Sequence, residues 1–228
     1  MRVLFTVITL VLVSVAPLAG QATLAVKGGL GRALLGTDEA GVVTSPRTGV
    51  VAGAELGFAL TPSLGLRFGG SFAQKGSNSV RDRRRVVVGA RLDYLQVSAL
   101  IRLRTPIQSQ GVAVSLLAGP WAGHLLSCSA SAEAPDEGEL NAICLREGEG
   151  SVGTPVVVAT AVKSMDYGIA AGVALEVGIG GLPKLAADLI WAPGLGEIDI
   201  DGRKTKHIFV QAGIMLPLGS RAESPSGG

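Results

Sequence analysis

In GIAAGVALEVGIG, Gly168 to Gly180, the odd positions carry Ile169, Ala171, Val173, Leu175, Val177 and Ile179. The even positions carry Gly168, Ala170, Gly172, Ala174, Glu176 and Gly178. A period of two puts successive side chains on opposite faces, so this is a strand with all its bulky aliphatics on one side. The same split recurs along the chain. Val50, Ala52, Ala54, Leu56, Phe58 and Leu60 oppose Gly53, Glu55 and Gly57, and Leu95, Val97, Ala99, Ile101 and Leu103 oppose Gln96, Ser98, Leu100, Arg102 and Arg104. Ile208, Val210, Ala212, Ile214 and Leu216 alternate with Phe209, Gln211, Gly213 and Met215. TLAVKGGLG, LGLRFGGSF, KLAADLIW and LLAGPWAGHLLSC, which runs from Leu116 to Cys128, complete a set of eight strands.

The spacing of these strands carries a second signal. Placed near 23–32, 48–60, 64–75, 88–104, 111–127, 165–179, 184–192 and 206–217, they leave short links at TPS, TPIQSQ and GGLPK. The other links, 33–47, 76–87, 128–164 and 193–205, are long. Short turns at one end and long loops at the other define an all-β, eight-stranded antiparallel up-and-down transmembrane β-barrel with long extracellular loops.

A soluble exported barrel holding a small hydrophobic ligand would alternate too, with its apolar face turned inward. Its other face would meet water and carry lysine, glutamate and threonine. Here that second face is mostly glycine and alanine, which are poor strand formers but fit the narrow interior of an eight-stranded barrel. The isolated charges on it become a lumen network of Lys27, Arg67 and Arg102 against Glu55, Glu176 and Asp188, three of each sign. Mutual pairing makes such burial tolerable. The LLAGPWAGHLLSC stretch then becomes a strand crossing lipid, paired by its neighbours. Pro120, unable to donate to a ladder, is expected at a bulge near the outer rim, and alternation turns Trp121 inward. Among the aromatics near the loop end, alternation turns Phe72, Tyr167 and Trp191 outward and Tyr94 and Phe209 inward.

Composition fits this class and excludes others. The chain has 228 residues and 33 glycines without a collagen-like period, and its net charge of +2 is too small for a nucleic-acid binder. Residues 1–22 read as a cleaved signal peptide, with Arg2 as a basic start, Val3 to Val15 as the apolar stretch, and Gly20 and Ala22 before the cut. The barrel is expected over 23–217, followed by a polar tail, 218–228.

VKGGLG, DYLQVSALIRLR, LLAGPWAGHLLS and MDYGIAAGVALEVGIG, in this order, resemble the small outer-membrane β-barrel proteins grouped as PorT-like. The resemblance implies an eight-stranded barrel in the outer membrane of a diderm bacterium, without a common activity. Its partners would be the lipid bilayer, lipopolysaccharide and the barrel-insertion machinery, and the chain would be a monomer. One departure is the end of the last strand, Leu216-Pro217-Leu218, where outer-membrane barrels usually finish on an aromatic residue.

The loops are the remaining candidates for a specific role. Export places Cys128 and Cys144 in an oxidising compartment, and a bridge between them would pin the start of the longest loop to its middle. That loop is acidic, with Glu133, Asp136, Glu137, Glu139, Glu147 and Glu149, but lacks the spaced ligands of a calcium site. Loop 76–87 is basic, and Arg81, Arg83, Arg84 and Arg85 form a candidate anion-binding loop, since guanidinium forks suit phosphate. Solvated loop charges and docking onto the acidic loop are the alternatives. No cofactor or enzyme motif is legible. Ser127, His124 and Asp166 lie near the same rim, yet no spacing makes them a catalytic triad.

Overall fold

A computed structural model describes residues 22–36, 42–81, 86–109, 111–134, 138–140, 142–146, 158–178, 183–198 and 204–218. The signal-peptide segment before Ala22 and the tail beyond Leu218 lie outside the described residues. The strands are β1 (Ala22–Gly36), β2 (Val42–Ala59), β3 (Leu64–Arg81), β4 (Val86–Ser109) and β5 (Val112–Ala134), followed by the short β6 (Gly138–Leu140), β7 (Ala142–Arg146) and β8 (Val158–Val162). β9 (Met165–Gly178), β10 (Lys184–Pro193) and β11 (Lys204–Pro217) complete the chain.

Eight of these strands close on themselves. Each pairs antiparallel with its neighbour in the order β4-β3-β2-β1-β11-β10-β9-β5, and β5 pairs back onto β4. The first and last strands meet along an unbroken register from Thr23↔Pro217 to Gly36↔Lys204. That seam needs glycine, because a Cβ on Gly29 would overlap the Val210 carbonyl and one on Gly213 the Val26 carbonyl. At the short-turn end, Gly111 adopts a φ of 82°, a left-handed conformation that a bulkier residue enters only with strain.

Exposure settles which face looks outward. Leu56, Val97 and Leu175, which a soluble container would gather at its centre, are 40%, 59% and 40% exposed. Lys27, Arg67, Glu176 and Asp188 are buried inside. On β11 the outward apolar column runs from Ile208 to Leu216. At about 3.3 Å per residue and a tilt of about 40°, it stands roughly 20 Å tall, near the ~25 Å band of outer-membrane barrels. Tyr167 and Trp191 are exposed on the outer wall and Tyr94 and Trp121 are buried in the lumen, as the alternation requires.

Two expectations are corrected. Pro120 causes no bulge: it sits opposite Ile169 in continuous register. The register against β4 slips instead between Asp93 and Tyr94, where Leu126 is the extra residue, and again between Arg104 and Gln108. A residue on the outer wall needs no donor if its other neighbour supplies the pairing, so the proline is absorbed without an insertion. The long links 33–47 and 76–87 are also largely strand, since β1 continues to Gly36 and β3 pairs with β4 without interruption as far as Arg81↔Val86. Above the apolar column the outer face no longer meets hydrocarbon, so Ser77, Asn78 and Ser79 carry no apolar alternation while the backbone ladder to β4 persists.

Candidate functional site

The inner face of the barrel is the site where chemistry-bearing residues converge, and the register shows how they fit. Lys27 lies opposite glycine on both sides, Gly53 on β2 and Gly213 on β11. Arg67 lies opposite Gly57, Glu55 opposite Gly69, Arg102 opposite Gly65, and Gln211 opposite Gly29. Each long polar side chain extends over a position with no side chain of its own.

The six expected lumen residues form two groups. Asp188 is the hub of the first. It accepts from Lys27 Nζ at 2.5 Å, from both terminal nitrogens of Arg67 at 3.2 and 2.8 Å, and from Gln211 Nε2 at 2.9 Å. The two-pronged guanidinium contact is the strong, orienting kind. Glu55 accepts from Lys27 at 2.8 Å and from Arg67, closing a quartet of two cations and two carboxylates. Nearer the short turns, Arg102 donates to Glu176 at 2.8 Å and Arg104 reaches the same carboxylate at 3.4 Å. Arg102 and Glu176 are thus brought together, but apart from the quartet.

A third group was missed. Lys75 pairs with Asp166 at 3.0 Å, and the Thr205 hydroxyl donates to the same carboxylate at 2.9 Å. The Lys75 ammonium also lies 3.8 Å from the Trp121 ring centre and 5.1 Å from that of Tyr94, within cation–π range. Parity could have found it, because Lys75 follows Arg67 by an even step and Asp166 precedes Gly168 by two. Its nearness in the expected strand plan to Ser127 and His124 groups Asp166 with the rim residues instead. Its supposed companions face the other way: His124 is exposed on the outer wall, and Ser127 donates to Asp93 at 2.8 Å. The barrel wall separates them from Asp166.

The lumen is filled between and above these groups. Leu100, Leu117, Trp121, Ala170, Ile190 and Ala192 pack at mid-height with Phe209 against them. Over Lys75 sits an apolar cap of Leu35, Leu92, Tyr94, Leu125, Val162 and Ile198, with Cys128 and Cys144 packed on it. These two cysteines form a disulfide with their Cα atoms 5.8 Å apart. β7 and β8 pair in parallel within the long loop, and Lys163 N–H donates to the Ile198 carbonyl, drawing that loop toward the mouth. An internal cavity of about 40 Å³ lies beside Lys27, Glu55, Gln96, Trp121 and Gln211, room for a few waters rather than for a solute.

Of the candidate anion-binding arginines, Arg81 ends β3 opposite Val86, and Arg83, Arg84 and Arg85 lie outside the described residues. The acidic loop lies mostly outside them as well. Glu133 on β5 is paired in register with Glu139 on β6.

The architecture is that of the small outer-membrane β-barrels. The outer membrane protein OprG from Pseudomonas aeruginosa is similar with a TM-score of 0.55 at 8% identity, over 87% of this chain and 96% of that one. Neisserial surface protein A is similar at 14% identity and a TM-score of 0.43, over 85% and 96%. Ail of Yersinia pestis, seen with the heparin analogue sucrose octasulfate, is similar at 13% identity and a TM-score of 0.42, over 86% and 99%. No protein-family model matches the sequence, and no curated protein matches it.

Proposed function

We propose that the chain is an integral barrel of the outer membrane of a diderm bacterium, its lumen filled, acting as a structural or surface-binding scaffold and not as an enzyme. One observation carries this reading: bulky aliphatics cover the outer wall while Lys27, Arg67, Lys75, Asp166 and Asp188 are buried within it. A soluble container demands the reverse, and the lumen cavity beside Lys27 and Glu55, at about 40 Å³, is too small for such a ligand. In this reading the short turns face the periplasm, the disulfide-tied loop faces outward, and Arg81, Arg83, Arg84 and Arg85 meet anionic groups there. The lumen ion pairs have a structural role. The PorT-like affiliation belongs to the same proposal and rests on the four short stretches that carry the resemblance.

Membrane fractionation tests it. The mature protein should sediment with outer membranes, require detergent for extraction, and migrate faster on a gel before boiling than after. Release into the soluble periplasmic fraction would refute the membrane assignment. A regular, reproducible single-channel conductance in planar bilayers would refute the filled lumen.

A further inference from the structure

Toward the loop end, the outer wall carries a feature that lumen packing does not explain. The segment Leu195–Glu197 lies against β9, with the Leu195 N–H donating to the Tyr167 carbonyl at 2.8 Å. Gly196 permits this, since a Cβ there would press on the Tyr167 ring. The result is an open groove of about 580 Å³ whose walls include Lys163, Met165, Tyr167, Leu195, Glu197 and Lys204. Met165, Tyr167 and Leu195 are about half exposed, at 50%, 55% and 53%, and continue the lipid-facing wall of Ile169 and Trp191. On the adjacent β11 the outward column changes from Ile208 to two exposed lysines, Lys206 and then Lys204. On β1 it changes in the same way from Leu30 to the exposed Arg32, which pairs in register with Ile208.

We infer that this groove and its cationic margin hold the headgroup of a phosphorylated glycolipid of the outer leaflet, with its acyl chains on the wall below. The inference rests on the membrane reading above. Charge and position identify the occupant. Among the described residues, Lys163 and Lys204 share the groove with one carboxylate, Glu197, and Lys206 and Arg32 extend the positive side around the wall, leaving a net positive margin at its loop end. Lys204 and Lys206 are two residues apart on one face, about 7 Å along the strand, so the margin suits more than one phosphate. The apolar part continues without a break into the hydrocarbon-facing surface, which a soluble anion would not need. Cations beside an anionic leaflet favour binding by electrostatics that falls away with salt.

The full chain, refolded in zwitterionic detergent, can be examined by native mass spectrometry against three probes: bisphosphorylated lipid A, its dephosphorylated form, and phosphatidylglycerol. The wild type should retain lipid A at least tenfold more tightly than either other lipid. The triple variant Lys163→Gln, Lys204→Gln, Lys206→Gln should lose that preference, roughly ten- to a hundredfold, while Arg91→Gln, on β4 with its own partner Asp93, should keep it. Equal retention of dephosphorylated lipid A overturns the proposal, and this needs no variant to fold. Equal retention of phosphatidylglycerol overturns the glycolipid assignment, and an unaffected triple variant that still shows heat-modifiable mobility overturns the residues. A chain released as a soluble protein would instead defeat the membrane reading itself, which fractionation reports separately.

Discussion

Asp188 is the residue on which the lumen quartet depends most. Its side chain is 1% exposed and accepts from Lys27, from both terminal nitrogens of Arg67 and from Gln211. Replacing it with asparagine keeps the shape but leaves two buried cations facing the single carboxylate of Glu55. Breaking a buried, hydrogen-bonded pair from one side typically costs about 3–5 kcal/mol, because the remaining charge stays desolvated. Asp188→Asn should therefore lose stability in that range. Glu55→Gln should lose less, since the Glu55 side chain is 14% exposed and water can compensate. Neutralising both signs, as in Lys27→Met with Asp188→Asn, should recover a large part of the loss, giving a coupling of about 1–3 kcal/mol in a double-mutant cycle. Urea titration of barrels folded into lipid vesicles, followed by tryptophan fluorescence and gel mobility, reads all five proteins: the wild type, Asp188→Asn, Glu55→Gln, Lys27→Met and the double variant. If the Asp188→Asn midpoint matches the wild type, or the double variant loses the full sum of the two singles, the charges are not coupled and the quartet has no structural weight.

Three further outcomes are expected. Gly213→Val places side-chain atoms where the Val26 carbonyl lies, so the barrel should fail to close or fold far more slowly in vesicles, whereas Gly70→Ala, whose added Cβ meets nothing within 4 Å, should behave as the wild type on the same gel. Cys128→Ser should leave the barrel intact but loosen the cap: the 16-residue separation corresponds to about 3 kcal/mol of chain entropy, read as faster protease cleavage in the long loop, and unchanged cleavage would count against the disulfide. Lys75→Met keeps the length of the side chain over Trp121 but strands Asp166, whose carboxylate is fully buried; a loss of about 3–5 kcal/mol is expected, and restoration by Lys75→Met with Asp166→Asn separates the charge from the packing.

The barrel was legible because lipid on one side and a crowded lumen on the other impose opposite demands on successive residues. Where both demands hold, as in Gly168 to Gly178, parity alone assigned every side chain to its face. Where one lapses, parity fades. The expected third strand ends at Lys75, whereas its ladder runs on to Arg81; Lys75 itself falls inside the expected span, on the inner parity. Asp166 likewise keeps the inner parity of β9, which alternates from its first residue, but a single lysine and a single aspartate near strand ends carry no local sign that they pair 91 residues apart. The cap was illegible on different grounds. Val162 and Ile198 come from segments between barrel strands, and they meet Leu35, Leu92 and Leu125 through a fold of the long loop that no local period encodes. Proline carries a real penalty in a ladder, but its prediction at a bulge assumed that every ladder position needs both neighbours.

The pairing of large with small explains why this interior tolerates so many ions. In a closed eight-stranded barrel the inner residues of adjacent strands compete for one narrow space, so a long side chain needs a vacancy beside it. Lys27 has two, at Gly53 and Gly213, and reaches both Glu55 and Asp188, as Arg67 does from beside Gly57. Trp121 has one, at Gly168, where a Cβ would meet both the indole nitrogen and the Pro193 carbonyl. The glycines on the inner face are thus the complement of the charges and not merely weak strand formers. Filling one of them should displace a particular partner: at Gly69 an added Cβ would lie 3.2 Å from Glu55 Cγ and 3.0 Å from the Ser98 hydroxyl, so Gly69→Leu should push Glu55 out of the quartet and reproduce the loss of Glu55→Gln. If Gly69→Leu is tolerated while Glu55→Gln is not, the vacancies and the ions are independent, and the lumen is organised by charge alone.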